Sequence, residues 1–278
     1  MRPLVLLPLF AVALVACGEN QTFVERDAYQ PPPIEPLACV PNLDGQISGA
    51  ELSAAIGVQV RYLVSPAGVE RDVDVVGYQE EGATVWDFGI DLADDQEIVV
   101  VPETTEGKWY ESAFPPDTFV TPFDAGGRVE SVGLLDETGL YLLGLASAVP
   151  DPPEGQTFFV YDTPIKVLAF PVRPGTSHSS SASVTGATLR GLPYAGTDTY
   201  DVTVDGIGAL DLPQLRFQEA HRVRTEVTVE PAVGAVTTQR QVSWFVECFG
   251  EVTRATSRLD EPAADFSIAS EVRRLGFR

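Results

Sequence analysis

Apolar and polar side chains alternate along much of the chain after residue 58, with the period of a half-buried β-strand. In TYDVTVDG, Tyr200, Val202 and Val204 lie on one face, and the intervening Thr and Asp residues lie on the other. RVRTEVTVE, residues 222–230, alternates in the same way. Both segments predict antiparallel strands with one buried and one solvated face.

Similar short runs bounded by Gly, Pro, Asp or Asn recur through residues 58–278 and predict further strands. LYLLGL is apolar on both faces, which predicts a strand covered on both sides. The fold we predict is mainly β, either one large curved, half-barrel-like antiparallel sheet or a β-sandwich, with one short helix near the N-terminus. The other runs are VQVRYLV, VDVVGY, TVWDFGI, EIVVV, FVTPFD, VESVGLL, GLYLLGLAS, TFFVY, IKVLAF and QVSWFVECFGEV.

The helix is expected within residues 39–57, where VPNLDGQISGAEL resembles a degenerate EF-hand loop. With Gly45 at the sixth loop position, the calcium-ligand positions would be filled by Asn42, Asp44, Gln46, Ser48 and Glu51. Position one falls on an apolar valine, so one carboxylate ligand is missing. This favours a turn at Asp44-Gly45 with Ser48 capping a helix over residues 49–56, and leaves weak calcium binding as the alternative.

Residues 1–16 have the layout of a secretory signal peptide, with Arg2 followed by an apolar run and small residues. The run is shorter than the roughly 20 apolar residues that a membrane-spanning helix needs. Its end, LVAC at residues 14–17, resembles the lipobox of bacterial lipoproteins. That resemblance implies a lipid-modified Cys17, which would anchor the protein in the bacterial cell envelope. Gly18 in place of an aspartate favours the outer membrane.

Residues 17–38 follow as a proline-rich tether that contains QPPPIEP. The whole chain has 18 basic and 40 acidic side chains and a formal charge of −22. Loss of the signal peptide would make that charge one unit more negative, because it removes Arg2 and no acid. So acidic a surface repels nucleic acid, whose binding needs Lys and Arg against the phosphates.

Three cysteines occur in the chain, and lipid on Cys17 would leave Cys39 and Cys248 as a pair in an oxidising compartment. We predict a disulfide between them, with two separate buried thiols as the alternative. Cys248 shares the parity of Val242, Trp244 and Val246, which predicts that it lies inward on a strand before a turn at Gly250.

The segment 169–257, under a third of the chain, is similar in pattern to the half-barrel envelope proteins of the Lol lipoprotein-carrier type. AFPVRPGTS, TYDVTVDGIGALDLPQLRFQEAHRVRTEV and QVSWFVECFGEVTRATS carry the resemblance. Cys248 departs from that pattern, and the first half of the β body has no counterpart in it. The resemblance implies a concave apolar face that holds a lipid or another hydrophobic ligand.

Catalytic motifs are scarce in this sequence. It contains no H-E-x-x-H, no Cys/His cluster, no glycine-rich phosphate loop and no G-x-S-x-G. His178 lies among serines, which leaves a hydrolase open, but that context favours a polar loop or strand start; His221 has the parity of a packed strand residue. DLADDQE, residues 91–97, is the densest acidic patch and a second candidate for a cation.

These observations together predict a non-catalytic cell-envelope lipoprotein that presents a β-rich surface for binding another envelope protein or a ligand. Two alternatives remain. One is a carrier of a lipid or other hydrophobic ligand, and the other is a calcium-dependent adhesion module. Neither needs an enzymatic cofactor.

Overall fold

The computed structural model describes residues 39–53 and 57–277. Most of this region is strand, and one helix, α1, lies near its beginning. A single 3-10 turn spans Glu111–Ala113. The elements are α1 Gly49–Ser53, β1 Val60–Val64, β2 Arg71–Asp72, β3 Tyr78–Glu80, β4 Ala83–Asp87, β5 Gln96–Val100, β6 Glu103–Thr104, β7 Phe119–Pro122, β8 Val129–Asp136, β9 Gly139–Ser147, β10 Phe158–Ala169, β11 Ser177–Leu189, β12 Leu192–Asp211, β13 Arg216–Pro231, β14 Thr237–Val246, β15 Gly250–Leu259 and β16 Ile268–Leu275.

All sixteen strands belong to one open sheet, which confirms the prediction of a large antiparallel sheet and excludes two packed sheets. Its main path runs β5-β1-β16-β15-β14-β13-β12-β11-β10-β9-β8-β7-β6. Neighbours on that path are antiparallel, and β4 adds to β12 in parallel.

The two ends of this path are close together in the chain. The first strand on the path, β5, ends at Val100, and the last, β6, begins at Glu103. In a flat sheet of these 13 strands the outer two would stand roughly 58 Å apart, given about 4.8 Å between neighbours. Three residue steps span at most about 11 Å. The sheet therefore curves round until its two ends meet at Val101-Pro102.

The outer face of β12 to β16 is covered by the segment that carries β3 and β4. Trp86 and Phe88 of this segment pack edge-on against Trp244, and all three rings are buried. Gly208 permits the approach of β4, because a Cβ there would lie 2.3 Å from the carbonyl oxygen of Thr84. This cluster also contains Val242 and Val246, as the alternation in QVSWFV predicts.

A second outer cluster covers β7 to β10. Tyr110 and Phe114 of the segment before β7 pack there with Leu143 and Ala146 of β9. Leu142 and Leu145 of the same strand face the opposite side. The two-sided covering predicted for LYLLGL is thus confirmed.

Two local predictions need correction. VDVVGY does not form one strand, because Asp74 Oδ1 accepts hydrogen bonds from the amides of Val76 and Gly77, 2.9 Å each, and makes a turn. Cys248 lies in the β14–β15 turn and not within a strand, with φ of 66°. The helix predicted over residues 49–56 is present over Gly49–Ser53, and the remaining positions 54–56 lie outside the described residues.

The predicted disulfide between Cys39 and Cys248 is present, and its Cα atoms are 5.6 Å apart. It joins the residues before α1 to the β14–β15 turn. The backbone amides of Asn42 and Leu43 reinforce this joint by donating to the buried carboxylate of Glu247, at 2.6 and 3.1 Å. Residues 39–53 are therefore held to the sheet by the disulfide and by the hydrogen bonds to Glu247.

We expect removal of this disulfide to lower the free energy of unfolding by about 2–5 kcal/mol, because the bond constrains a chain segment spanning 209 residues. The change is the double variant Cys39→Ala/Cys248→Ala, and urea unfolding of the mature protein is the measurement. Reductant should shift the midpoint of the parent protein and leave that of the variant unchanged. An equal midpoint for both proteins would contradict the prediction.

Candidate functional site

The concave side of the curved sheet encloses a cavity of about 530 Å³. Strands from both ends of the sheet contribute to its wall, since Val60 of β1 and Phe119 of β7 both line it. Most of the lining is aliphatic or aromatic. Its apolar side chains include Leu52, Val60, Val100, Phe119, Leu135, Leu142, Leu145, Phe159, Leu168, Val223, Val227, Val229, Phe245 and Leu259.

Strand alternation decides which side chains reach the cavity. On β13, Val223, Val227 and Val229 line it, and these are the residues that the alternation of RVRTEVTVE places on one face. On β14, Gln241 and Ser243 line it, whereas Val242, Trp244 and Val246 pack in the outer cluster. The sequence pattern thus assigned residues correctly to two faces.

One end of the cavity is covered by the residues before β1. Leu52 of α1 lines the cavity and packs in a cluster with Val202, Val204 and Val223. Ile47 is fully buried and pairs with Val172 through two backbone hydrogen bonds of 3.0 and 2.8 Å. The N-terminal segment therefore forms part of the cavity wall.

The other end carries exposed apolar side chains at the turns. Leu189, Leu259 and Phe123 line the cavity and are 39%, 61% and 52% exposed. Leu189 ends β11 and Leu259 ends β15. These three residues mark a rim through which an apolar molecule can enter.

A buried acid lies among aromatic side chains in the cavity wall. Asp198 of β12 is 8% exposed and accepts a hydrogen bond from the Tyr161 hydroxyl. Its second oxygen, Oδ1, has no hydrogen-bond partner among the described residues. Burial raises the pKa of Asp198, and the hydrogen bond from Tyr161 opposes that rise.

Two arginines lie on another part of the same wall. Arg254 of β15 and Arg273 of β16 are directly opposite each other in the antiparallel register. Arg273 is 5% exposed, and its guanidinium lies over the Tyr62 ring, 5.8 Å from the centroid. Its Nε and Nη2 atoms, and Nε of Arg254, have no hydrogen-bond partner within the described ranges.

Two glutamates lie near these arginines without hydrogen-bonding to them. Glu251 Oε1 is 3.8 Å from Arg254 Nε, and Glu271 Oε1 is 3.7 Å from Arg273 Nη2. Glu251 instead accepts a hydrogen bond of 2.5 Å from the Ser243 hydroxyl. Burial lowers the pKa of Arg273, and the neighbouring positive charge of Arg254 lowers it further.

Arg274, the next residue on β16, faces the opposite side and has a different environment. Its Nη1 donates to the carbonyl of Phe88 at 2.8 Å and to that of Ile90, and its Nη2 pairs with Asp95. Both partners of that ion pair are buried. Arg274 thus holds the outer cover on the sheet, and Arg273 has no such role.

The degenerate EF-hand loop has the geometry of a capped turn. Glu51 Oε2 accepts from the Ser48 amide at 2.7 Å and from the Ser48 hydroxyl at 2.8 Å, and Glu51 Oε1 accepts from Asn42. Asp44 Oδ1 accepts from the Gln46 amide. Each oxygen of Glu51, the twelfth-position ligand, therefore already has a donor, as in a capping box. In the part of the chain that the structure describes, no three His, Cys, Asp or Glu side chains converge on a metal position.

The acidic patch of residues 91–97 is paired with arginines. Arg71 contacts Asp94 at 2.8 Å and Asp95 at 3.1 Å, and Asp95 also pairs with Arg274. These two carboxylates are thus neutralised from within the protein, which accounts for the patch without a bound cation.

The two histidines lie apart from one another in the sheet. His178 of β11 lies 2.9 Å from the Lys166 carbonyl through Nε2, and its Nδ1 is unpartnered among the described residues. His221 of β13 is completely buried, in agreement with its parity. Ser180, which lies two residues after His178 on the same face of β11, accepts a hydrogen bond from the Lys166 amide.

Cys17, the predicted lipidation site, and the whole of residues 1–38 lie outside the described residues. Among the described residues no helix has the length and apolar character needed to cross a membrane. Comparison of the chain with known protein families, curated proteins and solved structures found no match to any of them.

The arginine pair and Asp198 were not predicted from the sequence. Residues 254 and 273 are brought together only by the β15–β16 register, and their local sequences TRATS and EVRRL show no common motif. The one available signal was the pair Arg273-Arg274 between the apolar Val272 and Leu275, since adjacent residues of a strand face opposite sides.

Arg274→Met should destabilise the protein by about 2–3 kcal/mol, because the buried carboxylate of Asp95 keeps Arg71 but loses Arg274, and the carbonyls of Phe88 and Ile90 lose their donor. Arg273→Met should change stability by about 1 kcal/mol or less, because no hydrogen bond is lost. Urea unfolding of the two variants measures the difference. Equal losses would show that Arg273 is also a structural arginine.

Asp198→Asn should raise the melting temperature at neutral pH. Because the pKa of Asp198 is raised in the folded state, the ionised carboxylate costs stability above that pKa. The cost disappears below the ordinary carboxyl pKa of about 3.9, where both folded and unfolded states are protonated. Melting curves should therefore show a gain that shrinks as the pH falls toward about 3. A gain independent of pH would contradict the assignment.

Proposed function

We propose that this chain is a non-catalytic, lipid-anchored protein of the bacterial cell envelope whose curved sheet binds a hydrophobic ligand. The cavity is the observation that supports the ligand. Ligand pockets in proteins commonly measure about 300–1,000 Å³ and are mostly apolar with a few polar groups, and the space inside this sheet has that size and composition.

A space of this size is unusual for a core that only has to be stable. Protein interiors pack as densely as organic crystals, and unfilled apolar volume destabilises them. Both outer clusters of this protein are filled by aromatic side chains from covering segments. The inner face also carries buried clusters, around Phe159 and Tyr161 and around Leu52 and Leu168, but a cavity of about 530 Å³ remains between them, and a bound molecule would fill that space.

The rim at Leu189, Leu259 and Phe123 supplies an entry, and the N-terminal segment covers the other end. This arrangement favours a ligand carrier over a protein that uses only its outer surface. An adhesion or docking surface would not need an apolar interior.

The envelope location rests on the sequence alone. A signal peptide followed by LVAC at residues 14–17 supports a lipid on Cys17, and the acidic charge of −22 disfavours nucleic acid as a partner. A lipid anchor and a tether would hold the cavity near a membrane, where hydrophobic molecules are available.

The proposal predicts that an environment-sensitive hydrophobic dye, N-phenylnaphthylamine, binds the mature protein and brightens. Val227→Trp should reduce that binding at least about tenfold, because residue 227 lines the cavity and its indole would occupy space that the dye needs. Fluorescence titration gives the dissociation constants.

Thr228→Trp is the matched control, since residue 228 neighbours Val227 on β13 and is not part of the cavity lining. It should bind the dye as the parent protein does. Undiminished binding by Val227→Trp, with the fold intact by circular dichroism, would place the dye outside the cavity and refute the proposal.

A further inference from the structure

Arg254 and Arg273 form a like-charged pair on the cavity wall. Their direct opposition across β15 and β16 is destabilising in itself, because two positive charges face each other at the closest cross-strand position. The pair therefore needs an explanation beyond folding.

The donors of the pair are unused. Three guanidinium nitrogens, Arg254 Nε and Arg273 Nε and Nη2, are buried and have no hydrogen-bond partner in residues 39–53 and 57–277. Glu251 and Glu271 reduce the net charge but stay beyond hydrogen-bond distance, at 3.8 and 3.7 Å. Buried polar groups are nearly always hydrogen-bonded in native proteins, so these donors point to a missing acceptor.

The neighbouring arginine has acceptors for both of its terminal nitrogens, although its Nε has no partner among the described residues. Arg274, one residue along β16, donates to two carbonyls and to Asp95. Arg273 is also nine-tenths buried, yet its Nε and Nη2 have no hydrogen-bond partner among the described residues; it lies over the Tyr62 ring, with Glu271 3.7 Å away. The two side chains have different partners because they point to opposite sides of the sheet. Arg273 lines the cavity, and Arg274 faces the outer cover.

We infer that Arg254 and Arg273 bind the acidic head group of an amphiphile, a carboxylate or phosphate whose hydrocarbon chain occupies the apolar cavity. The planar fork of a guanidinium matches the oxygens of either group, and the apolar lining matches the chain. This inference rests on the proposed function and specifies its ligand. Asp198, which lines the same cavity, disfavours a ligand with a second acidic group.

Palmitate and hexadecanol test the inference, because they share the hydrocarbon chain and differ in the acidic head. Displacement of N-phenylnaphthylamine from the mature protein gives both affinities. The parent protein should bind palmitate at least about tenfold more tightly than hexadecanol, the effect of one charge-assisted hydrogen bond. The double variant Arg254→Gln/Arg273→Gln should lose that preference and bind hexadecanol unchanged.

Arg258→Gln is the matched control, because Arg258 lies on the same strand, is exposed and pairs with Glu70 outside the cavity. It should keep the preference for palmitate. Arg273→Lys serves if the double variant does not fold, as judged by its melting temperature. It keeps the charge without the planar fork and should lose part of the preference.

Each outcome separates the two proposals. Equal affinity of the parent protein for palmitate and hexadecanol would overturn the acidic head group and leave the hydrophobic ligand in place. Binding of neither compound would overturn both. A double variant that still prefers palmitate would remove the arginines from the site. Tight binding of inorganic phosphate together with no palmitate binding would assign the pair to a free anion and overturn the amphiphile.

Discussion

The connection of β5 to β6 through Val101 and Pro102 is the constraint on which the rest of the structure depends. These two strands are the ends of the hydrogen-bonded path, and two residues are too short to join them unless the whole sheet turns round on itself. Pro102 suits this position because it lacks an amide hydrogen and so cannot extend a strand ladder. The short β5–β6 connection therefore forces the sheet to curve, and the curved sheet has a concave face.

The convex and concave faces of the sheet are covered by different amounts of chain. The convex face is packed by two covering segments, one with Trp86 and Phe88 and one with Tyr110 and Phe114, and Arg274 fastens the first of them. The concave face has no such segment among the described residues beyond the N-terminal piece held by the Cys39–Cys248 disulfide. The covering segments thus pack the outside of the sheet, whereas the buried clusters on the inside leave a cavity between them. Arg273 and Arg274, adjacent on one strand, show this division of roles most directly.

Alternation in the sequence predicted the strands and their faces wherever one face was apolar, as for Val242, Trp244 and Val246. It failed for β11, SHSSSASVTGATL, because serines supply most of its side chains and only Ala182, Val184 and Ala187 are buried. It also missed β16, IASEVRRL, where a glutamate and two arginines break the alternation of apolar and polar residues. Three features depend on pairing between strands that are distant in the chain: the approach of the two sheet ends, the cavity and the Arg254–Arg273 pair. No local sequence pattern encodes such pairing. The helix cap at Ser48 could be predicted from the sequence because its partner, Glu51, is only three residues away.

Native mass spectrometry of the mature protein, purified from a bacterial envelope without strong detergent, tests the central claim that the curved sheet holds a ligand. We expect a second species heavier by the mass of one hydrophobic molecule, absent from the Val227→Trp protein and released by collisional activation. A single species at the mass of the polypeptide with its covalent modifications, in protein that also fails to take up added palmitate or hexadecanol, would contradict the account.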